Sequence, residues 1–372
     1  MSYPRSRLLR TIGIGAAVAA LVTTAACGSS STAASVTSSG AVSPAAAGSA
    51  APAATSVAPA SGSSAAAGPT AATSGSTDVL IAQHTNGAGT QTTITVPTVA
   101  AIRAELPAAI RDSGKLVIGQ GALPAGFPPL SFIGDDQKTL TGSEPDLGRL
   151  IAAVYGLQPQ IVNATWDNLF VGIDSGRTDV GLSNITDTET RKIKYDFASY
   201  RQDNLGFEVN ESSDWNFDDS YQNLAGKTVA VGSGTNQEKI LLEWQTKLKA
   251  EGKSLEVKYF PTQSAVNLAL SSGKIDLYFG PNPGIAYHIK GDSAGPNPTR
   301  SAGTYSGAGA TLQGLIAATT KKDNGLAKPL ADAINYLIAN GQYAKWLAAY
   351  NLSNEAVPTS LVNPPGLPKT NS

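Results

Sequence analysis

From about Pro97 the chain alternates short apolar strands with amphipathic helices. The segment 116–119 is an apolar strand. In the helix that begins at Pro145, apolar residues recur three and four positions apart, as one buried face requires: Leu147, Leu150, Ile151 and Val154. The same pattern predicts strands at 160–163, 180–182, 228–231, 256–259, 276–279 and 312–318, and helices from 167 and at 236–250, 265–270, 326–340 and 342–350.

This alternation predicts parallel α/β sheets, because helices that connect neighbouring parallel strands cover both faces of a sheet. The strands fall into two sets, which a polar stretch at 210–222 separates. We therefore expect an α/β protein with two lobes, each a doubly wound sheet. Residues 97–207 would begin lobe 1, residues 208–310 would form lobe 2, and residues 311–352 would return to lobe 1. Crossover strands near 205–209 and 312–318 would form the hinge, and a ligand would bind between the lobes.

The N-terminal residues have the pattern of an export signal. Arg5, Arg7 and Arg10 precede an apolar run at 12–22, and small residues lead to Cys27. This run is shorter than the roughly 20 apolar residues that a membrane span needs. We predict a signal sequence over 1–27. The alternative is an ordinary secreted protein that is cut near Ala26.

Residues 28–77 contain no charged and no aromatic side chain. Such a stretch cannot bury enough apolar surface to offset the entropy of ordering it. We predict that residues 28–96 form a disordered tether and that residues 353–372 form a flexible tail.

Charge and composition exclude several functions. The first 77 residues carry three of the 27 basic side chains and none of the 28 acids, so the rest has a net charge of −4. That balance argues against binding of nucleic acid. One cysteine excludes a disulfide framework and cysteine-built metal sites. With only two histidines, His84 and His288, we expect no metal and no cofactor.

An ordered series of motifs across residues 107–350 resembles a known family. The motifs are GKLVIG at 114–119, FPPLSF at 127–132, GSEPDL at 142–147, WDNL at 166–169, SGRTD at 175–179, TDTETR at 186–191 and LAGKTVAV at 224–231. They resemble the extracellular solute-binding proteins of bacterial ABC importers, in the family 3 branch that binds polar amino acids.

The resemblance implies a type II periplasmic-binding fold and a function. The protein would capture a small solute that bears a carboxylate, by closure of the lobes, and deliver it to an ABC permease. Cys27 resembles the lipid-acceptor cysteine of bacterial lipoproteins, which implies a monomer anchored by lipid to the outer face of the cell membrane.

The same resemblance selects the ligand-binding candidates in the first lobe. Arg191 matches the arginine that binds the ligand's α-carboxylate, and a guanidinium can grip a carboxylate bidentately. Thr186 and Asn184 precede it and could supply hydroxyl, amide or backbone donors. The alternative is that Arg191 pairs at the surface with Asp196 or Glu189.

The second lobe would bind the same carboxylate at a glycine-rich turn. Residues 232–236 join a strand to a helix, where free N–H groups favour an anion. Thr235 and Asn236 are the candidates here, and a simple tight turn is the alternative. The family usually has an aspartate for the α-ammonium at the position of Pro281. Asn282 follows it and is kept as a ligand-binding candidate.

Phe127 and Trp166 are expected to form the aromatic walls of the site, although aromatic residues are more often part of a core. We expect a binding protein and no catalytic residue. One alternative is an extracytoplasmic enzyme of the dehydratase type, with Glu144 as its acid or base. A ligand-sensing lipoprotein without a transport role is another. The sequence does not identify the solute or establish recognition of an α-ammonium.

Overall fold

The computed structural model describes residues 73–370. The predicted signal sequence, Cys27 and residues 28–72 of the predicted tether lie outside the described residues.

Strands and helices alternate through the described part of the chain. The strands are β1 (Thr73–Ile81), β2 (Thr92–Val99), β3 (Lys115–Leu123), β4 (Phe132–Ile133), β5 (Leu140–Thr141), β6 (Gln158–Thr165), β7 (Val180–Gly181), β8 (Tyr195–Asn210), β9 (Thr228–Ala230), β10 (Glu256–Lys258), β11 (Leu277–Pro281), β12 (Thr299–Ser306) and β13 (Gly314–Lys321). The helices are α1 (Ala100–Ala104), α2 (Ala108–Ser113), α3 (Ser143–Tyr155), α4 (Trp166–Asp174), α5 (Asn236–Ala250), α6 (Gln263–Ser271), α7 (Asn282–Asp292), α8 (Ala327–Ala339) and α9 (Gln342–Ala349).

Strand β8 belongs to both lobes. Its first part pairs with β13, up to Asp203 opposite Gly314, and its last part pairs with β11 and β12 from Asn204 onward. The strand order is β10-β9-β11-β8-β13-β7-β3-β6. The first lobe therefore contains β3, β6, β7, β13 and the start of β8, and the second lobe contains the end of β8 with β9 to β12. The crossover lies at residues 203–204, against the predicted boundary at 207.

Each lobe has its own apolar core. In the first, Leu116, Leu150 and Trp346 are fully buried between the sheet and helices α3, α8 and α9. In the second, the ring of Phe207 stacks on that of Phe279 at a centroid distance of 4.4 Å. Trp244 from α5 joins the same cluster. The two-lobed α/β architecture expected from the sequence is confirmed.

Residues 73–99 are folded, so the prediction of a disordered tether through residue 96 is wrong for its last part. Strands β1 and β2 pair antiparallel with Val79 opposite Ile94. Ile81, Ile94 and Val96 are buried in the first lobe's core. The Asp146 carboxylate in α3 accepts a hydrogen bond from the Ala82 amide at 2.7 Å. The hairpin folds because alternate residues of its polar strands are apolar and face the core.

The predicted flexible tail is also ordered as far as Thr370. A 3-10 turn covers Ser353–Glu355, and Val362 forms a bridge with Ala198 of β8. Leu367 is fully buried. A few buried apolar residues, such as Leu367, anchor this segment. The sequence did not predict this order, because the segment consists largely of prolines, asparagines and other polar residues.

Candidate functional site

A cleft of about 420 Å³ lies between the two lobes. The first lobe contributes the loop after β3 and the residues that begin α4. The second lobe contributes the turn before α5, the loop after β10 and the end of β11. Its lining includes Phe127, Glu144, Trp166, Asp167, Asn184, Thr235, Asn236, Phe260, Tyr278 and Pro281. The carboxyl ends of strands from both lobes thus meet at one cavity, as the fold class predicts.

Both predicted aromatic walls lie at this cleft. Trp166 begins α4, and its indole Nε1 donates a hydrogen bond to the Gly234 carbonyl of the other lobe at 3.2 Å. Phe127 packs across the cleft against the start of α7. A Cβ atom at Gly284 would come within 2.2 Å of its ring, so only glycine fits there. Phe260 and Tyr278 add apolar surface from the second lobe, and neither was predicted from the sequence.

Arg191 joins the lobes and does not itself line the cleft, which it approaches only through its contact with Trp166. Its Nη1 donates to the Thr186 carbonyl at 2.9 Å, and its Nη2 donates to the Gly234 carbonyl at 3.2 Å. The guanidinium lies 5.5 Å from the ring centroid of Trp166. Burial lowers the pKa of Arg191 to about 10, while the nearby Asp203 carboxylate opposes the shift. The guanidinium is therefore held charged and bonded to neutral oxygens.

The surface pairing considered for Arg191 is not formed. Glu189 instead accepts a hydrogen bond from Lys192 at 2.7 Å. Asp196 accepts one from the Asn363 side chain at 3.0 Å. Within residues 73–370, Arg191 has no ion pair with a carboxylate.

The side chains of Thr186 and Asn236 both bond to one buried carboxylate, that of Asp203, and do not form one face of the cavity together. The Thr186 hydroxyl donates to Asp203 Oδ2 at 2.7 Å, and Asn236 Nδ2 donates to the same oxygen at 2.9 Å. Burial raises the pKa of Asp203, against the effect of these hydrogen bonds. Asn236 still lines the cleft, whereas Thr186 does not. Asp203 therefore links a loop of the first lobe to α5 of the second.

The turn before α5 is held by its own side chains. The Thr235 hydroxyl caps the helix by accepting a hydrogen bond from the Glu238 amide at 3.2 Å. The Glu238 carboxylate accepts one from the Gly234 amide at 2.6 Å. Gly234 has a φ of +73°, which favours glycine. We expected this helix start to attract the carboxylate of a ligand. The Glu238 carboxylate already accepts a hydrogen bond from one of its N–H groups.

Comparison with known proteins identifies the family. Residues 121–353, which include the second lobe, most of the first and all residues that line the cleft, match the sequence profile described as bacterial extracellular solute-binding proteins, family 3. The chain belongs to this family.

Relatives of this family 3 protein are amino-acid-binding proteins by name. It is 31% identical over 168 residues to the L-cystine-binding protein TcyJ of Escherichia coli K12, covering 45% of this chain and 59% of that one. It is 26% identical over 265 residues to the arginine-binding protein ArgT of Corynebacterium glutamicum, covering 70% and 82% of the two chains. The chain thus spans little more than half of the cystine-binding relative.

The fold is shared with solved family structures. The crystal structure of the amino acid ABC transporter substrate-binding protein AbpA from Streptococcus pneumoniae, bound to L-arginine, superposes with a TM-score of 0.55 at 23% identity. The match covers 67% of this chain and all of that one. It confirms the expected type II periplasmic-binding fold.

One position of this family 3 protein departs at the cleft from the pattern that the resemblance implied. Pro281 lines the cleft where an ammonium-binding aspartate was expected. Asn282, predicted as a ligand-binding residue, does not line this cleft. Asn282 faces a separate cavity of about 210 Å³ together with Tyr287 and Lys290. The chain changes from β11 to α7 between Pro281 and Asn282, and this turns the two side chains to different sides.

A buried ionic network under the cleft was not found from the sequence. Arg201 in β8 is 1% exposed and pairs with Glu144 at 3.1 Å and with Glu355. It also donates to the Asn184 side chain, and the Asn184 amide donates to Glu144 at 2.9 Å. Although burial alone lowers it, the charges of Glu355 and Glu144 raise the pKa of Arg201. Because Glu355 lies 154 residues away along the chain, no local motif reveals this cluster.

Residues 73–370 contain no cluster of three or more side chains that could hold a metal ion. In the same range, no helix is long and apolar enough to cross a membrane.

Proposed function

We propose that this protein captures an amino acid in the cleft by its carboxylate and delivers it to an ABC permease. The observation that carries the proposal is the Arg191 guanidinium, which is positioned by both lobes and bonds only to carbonyl oxygens. A carboxylate is a stronger partner for a guanidinium than a carbonyl, because the hydrogen bonds become charge-assisted and bidentate. A ligand that brings a carboxylate to Arg191 replaces weak bonds with strong ones and stabilises the closed lobes.

The lining of the cleft favours an amino acid with a neutral or positively charged side chain. Its charged residues are two acids, Glu144 and Asp167, and no lysine or arginine lines it. Glu144 shares the charge of Arg201 with Glu355, so the lining remains acidic. A negatively charged ligand side chain would have no positive partner there and would be repelled. The names of relatives that bind arginine agree with this class.

The first experiment replaces Arg191. Arg191→Ala is expected to weaken binding of L-arginine or L-cystine by more than about thirtyfold, since truncating one partner of a buried charge pair costs about 2–5 kcal/mol. Arg191→Lys should restore little, because a lysine cannot form the bidentate pair. Arg177→Ala, at an exposed arginine of the same lobe, is the matched control. Calorimetry measures the affinity, and wild-type affinity in Arg191→Ala would refute the proposal.

The second experiment tests the ligand class. L-arginine and L-glutamate have the same α-carboxylate and α-ammonium, and they differ in the charge of the side chain. We expect L-arginine to raise the melting temperature of the protein and L-glutamate to raise it less or not at all. Equal stabilisation by L-arginine and L-glutamate would show that the acidic lining does not select the ligand by the charge of its side chain.

We also propose that a lipid on Cys27 anchors the protein, as a monomer, to the outer face of the cell membrane. Residues 28–72 would then connect the anchor to the folded part. Cys27→Ser should release the protein into the medium, which fractionation and immunoblotting measure. Unchanged membrane association of Cys27→Ser would contradict the anchor without affecting the ligand site.

A dehydratase-like enzyme is not favoured. Its acid or base would be Glu144, and this carboxylate is fully buried with hydrogen bonds from Arg201, Tyr200 and the Asn184 amide. A group held in this way is not free to move a proton to or from a ligand. The named relatives are also binding proteins.

A further inference from the structure

The C-terminal residues 361–370, which we call the C-terminal strap, follow the part of the chain that matches the family. That match ends at residue 353. The strap begins by pairing with β8 of the first lobe. The Ser199 amide donates to the Leu361 carbonyl at 3.0 Å, and the Asn363 amide donates to the Phe197 carbonyl at 3.0 Å. The Phe197 amide in turn donates to the Asn363 side chain at 2.9 Å.

The strap then runs along the turn that carries Arg191. The Glu189 amide donates to the Leu367 carbonyl at 2.9 Å, and the Leu367 amide donates to the Asp187 carbonyl at 3.1 Å. The Gly366 amide donates to the Glu189 side chain at 3.0 Å. Between these residues lies Thr188, whose hydroxyl accepts a hydrogen bond from the Arg191 amide at 3.0 Å. The backbone on both sides of Thr188 is thus fixed by the strap, and Thr188 fixes Arg191.

The strap also reaches the second lobe. The Leu367 side chain is 0% exposed and belongs to the apolar cluster that contains Phe207 and Trp244. Thr370 lies in a surface groove beside Thr235 and Leu242. One short segment therefore contacts both lobes. It makes backbone hydrogen bonds to the first lobe and buries Leu367 in the core of the second.

We propose that the C-terminal strap is a positioning element of the ligand site, which holds the Arg191 turn in place and stabilises the lobe arrangement described here. A segment that favours the binding-competent arrangement raises the apparent affinity by the factor by which it raises the population of that arrangement. The prediction for ligand affinity rests on the proposed function, whereas the predictions for backbone protection and lobe separation do not.

The test uses Gly366→Ala in the full chain. A Cβ atom at Gly366 would lie 2.5 Å from the Asp187 carbonyl oxygen, so alanine forces the strap off the turn. Gly291→Ala is the matched control, because a Cβ atom there meets nothing within 4 Å. A second variant ends the chain after Asn363 and so removes the part of the strap beyond β8.

Three measurements distinguish positioning from general destabilisation. Hydrogen exchange at the Glu189 amide should become at least about tenfold faster in both strap variants, because its partner at Leu367 is lost, while the amides of β3 and β9 keep their protection. The distance between spin labels at Lys115→Cys and Lys249→Cys, in a Cys27→Ser background, should become longer or broader. Affinity for L-arginine or L-cystine should fall about tenfold, with Gly291→Ala unchanged.

Two results would overturn the proposal. One is unchanged exchange at Glu189 in both variants, and the other is faster exchange with wild-type lobe separation and wild-type affinity. If the wild-type protein binds neither probe, or if Arg191→Ala binds normally, it is the proposed function that fails. In that case the Glu189 exchange and the label distance still decide whether the strap positions this turn and the lobes.

Discussion

Replacing Arg201 with methionine should destabilise the fold strongly. The substitution keeps an unbranched apolar side chain in place and removes the one positive charge that Glu144 and Glu355 share. These carboxylates are 0% and 1% exposed, so water cannot replace the lost partner. Breaking a buried ion pair from one side costs about 3–5 kcal/mol, because it leaves an uncompensated buried charge.

The pH dependence of this loss is the sharper test. Burial raises the pKa of Glu355 against the opposing charge of Arg201, so removing Arg201 raises it further. The unfolded variant then releases protons at a lower pH than the folded variant does. The stability deficit should therefore be small near pH 4 and grow by up to about 1.4 kcal/mol per pH unit until the raised pKa of Glu355 is passed.

Urea unfolding of wild type and Arg201→Met between pH 5 and pH 8 measures both effects. Arg177→Met, at an exposed arginine, should stay within about 0.5 kcal/mol of wild type. Adding Glu355→Gln to Arg201→Met should recover part of the loss, because it removes one of the two stranded charges. A deficit below about 1 kcal/mol at pH 8, or one that does not change with pH, would refute the idea that Arg201 compensates these acids.

Two further predictions concern the second lobe and the hairpin. The Glu208 hydrogen bond raises the pKa of His288 above its ordinary 6.5, against the effect of burial. The stability that this pair contributes is therefore fully present below about pH 6.5 and is lost as the pH rises through the raised pKa. His288→Asn and wild type should then have converging urea-unfolding stabilities at alkaline pH, and a constant difference would contradict this. Ile94→Ala in β2 should lower the free energy of unfolding by about 2–5 kcal/mol if the hairpin is part of the core. Thr95→Ala, at an exposed position of the same strand, is the control. Equal stability of the two variants would mean that residues 73–99 add nothing to the fold.

Local patterns predicted the regular elements well. The helix expected at 236–250 is α5 with the same bounds, because Thr235 caps its start and apolar residues recur with helical spacing. The resemblance to the family selected Trp166 and Asn184, and the α/β architecture explains why they reach the cleft, since it brings the carboxyl ends of strands together there.

Contacts between distant segments could not be predicted in this way. Thr186 was expected to face the ligand, yet its hydroxyl bonds to Asp203, a residue whose burial no local pattern reveals. Leu367 looked like part of a disordered tail because a single leucine among prolines gives no periodic signal. The direction of its side chain depends on the surface that receives it.

The passage of β8 through both lobes has a consequence for how the chain folds during synthesis. The strands of the second lobe, from the end of β8 to β12, are contiguous from Asn204 to Ser306. The sheet of the first lobe stays incomplete until β13, which lies between β7 and β8, has left the ribosome. The second lobe can therefore assemble before the first, in reverse of the usual N-terminal-first order. The unpaired edges of β7 and β8 remain open to wrong pairing until Lys321 emerges.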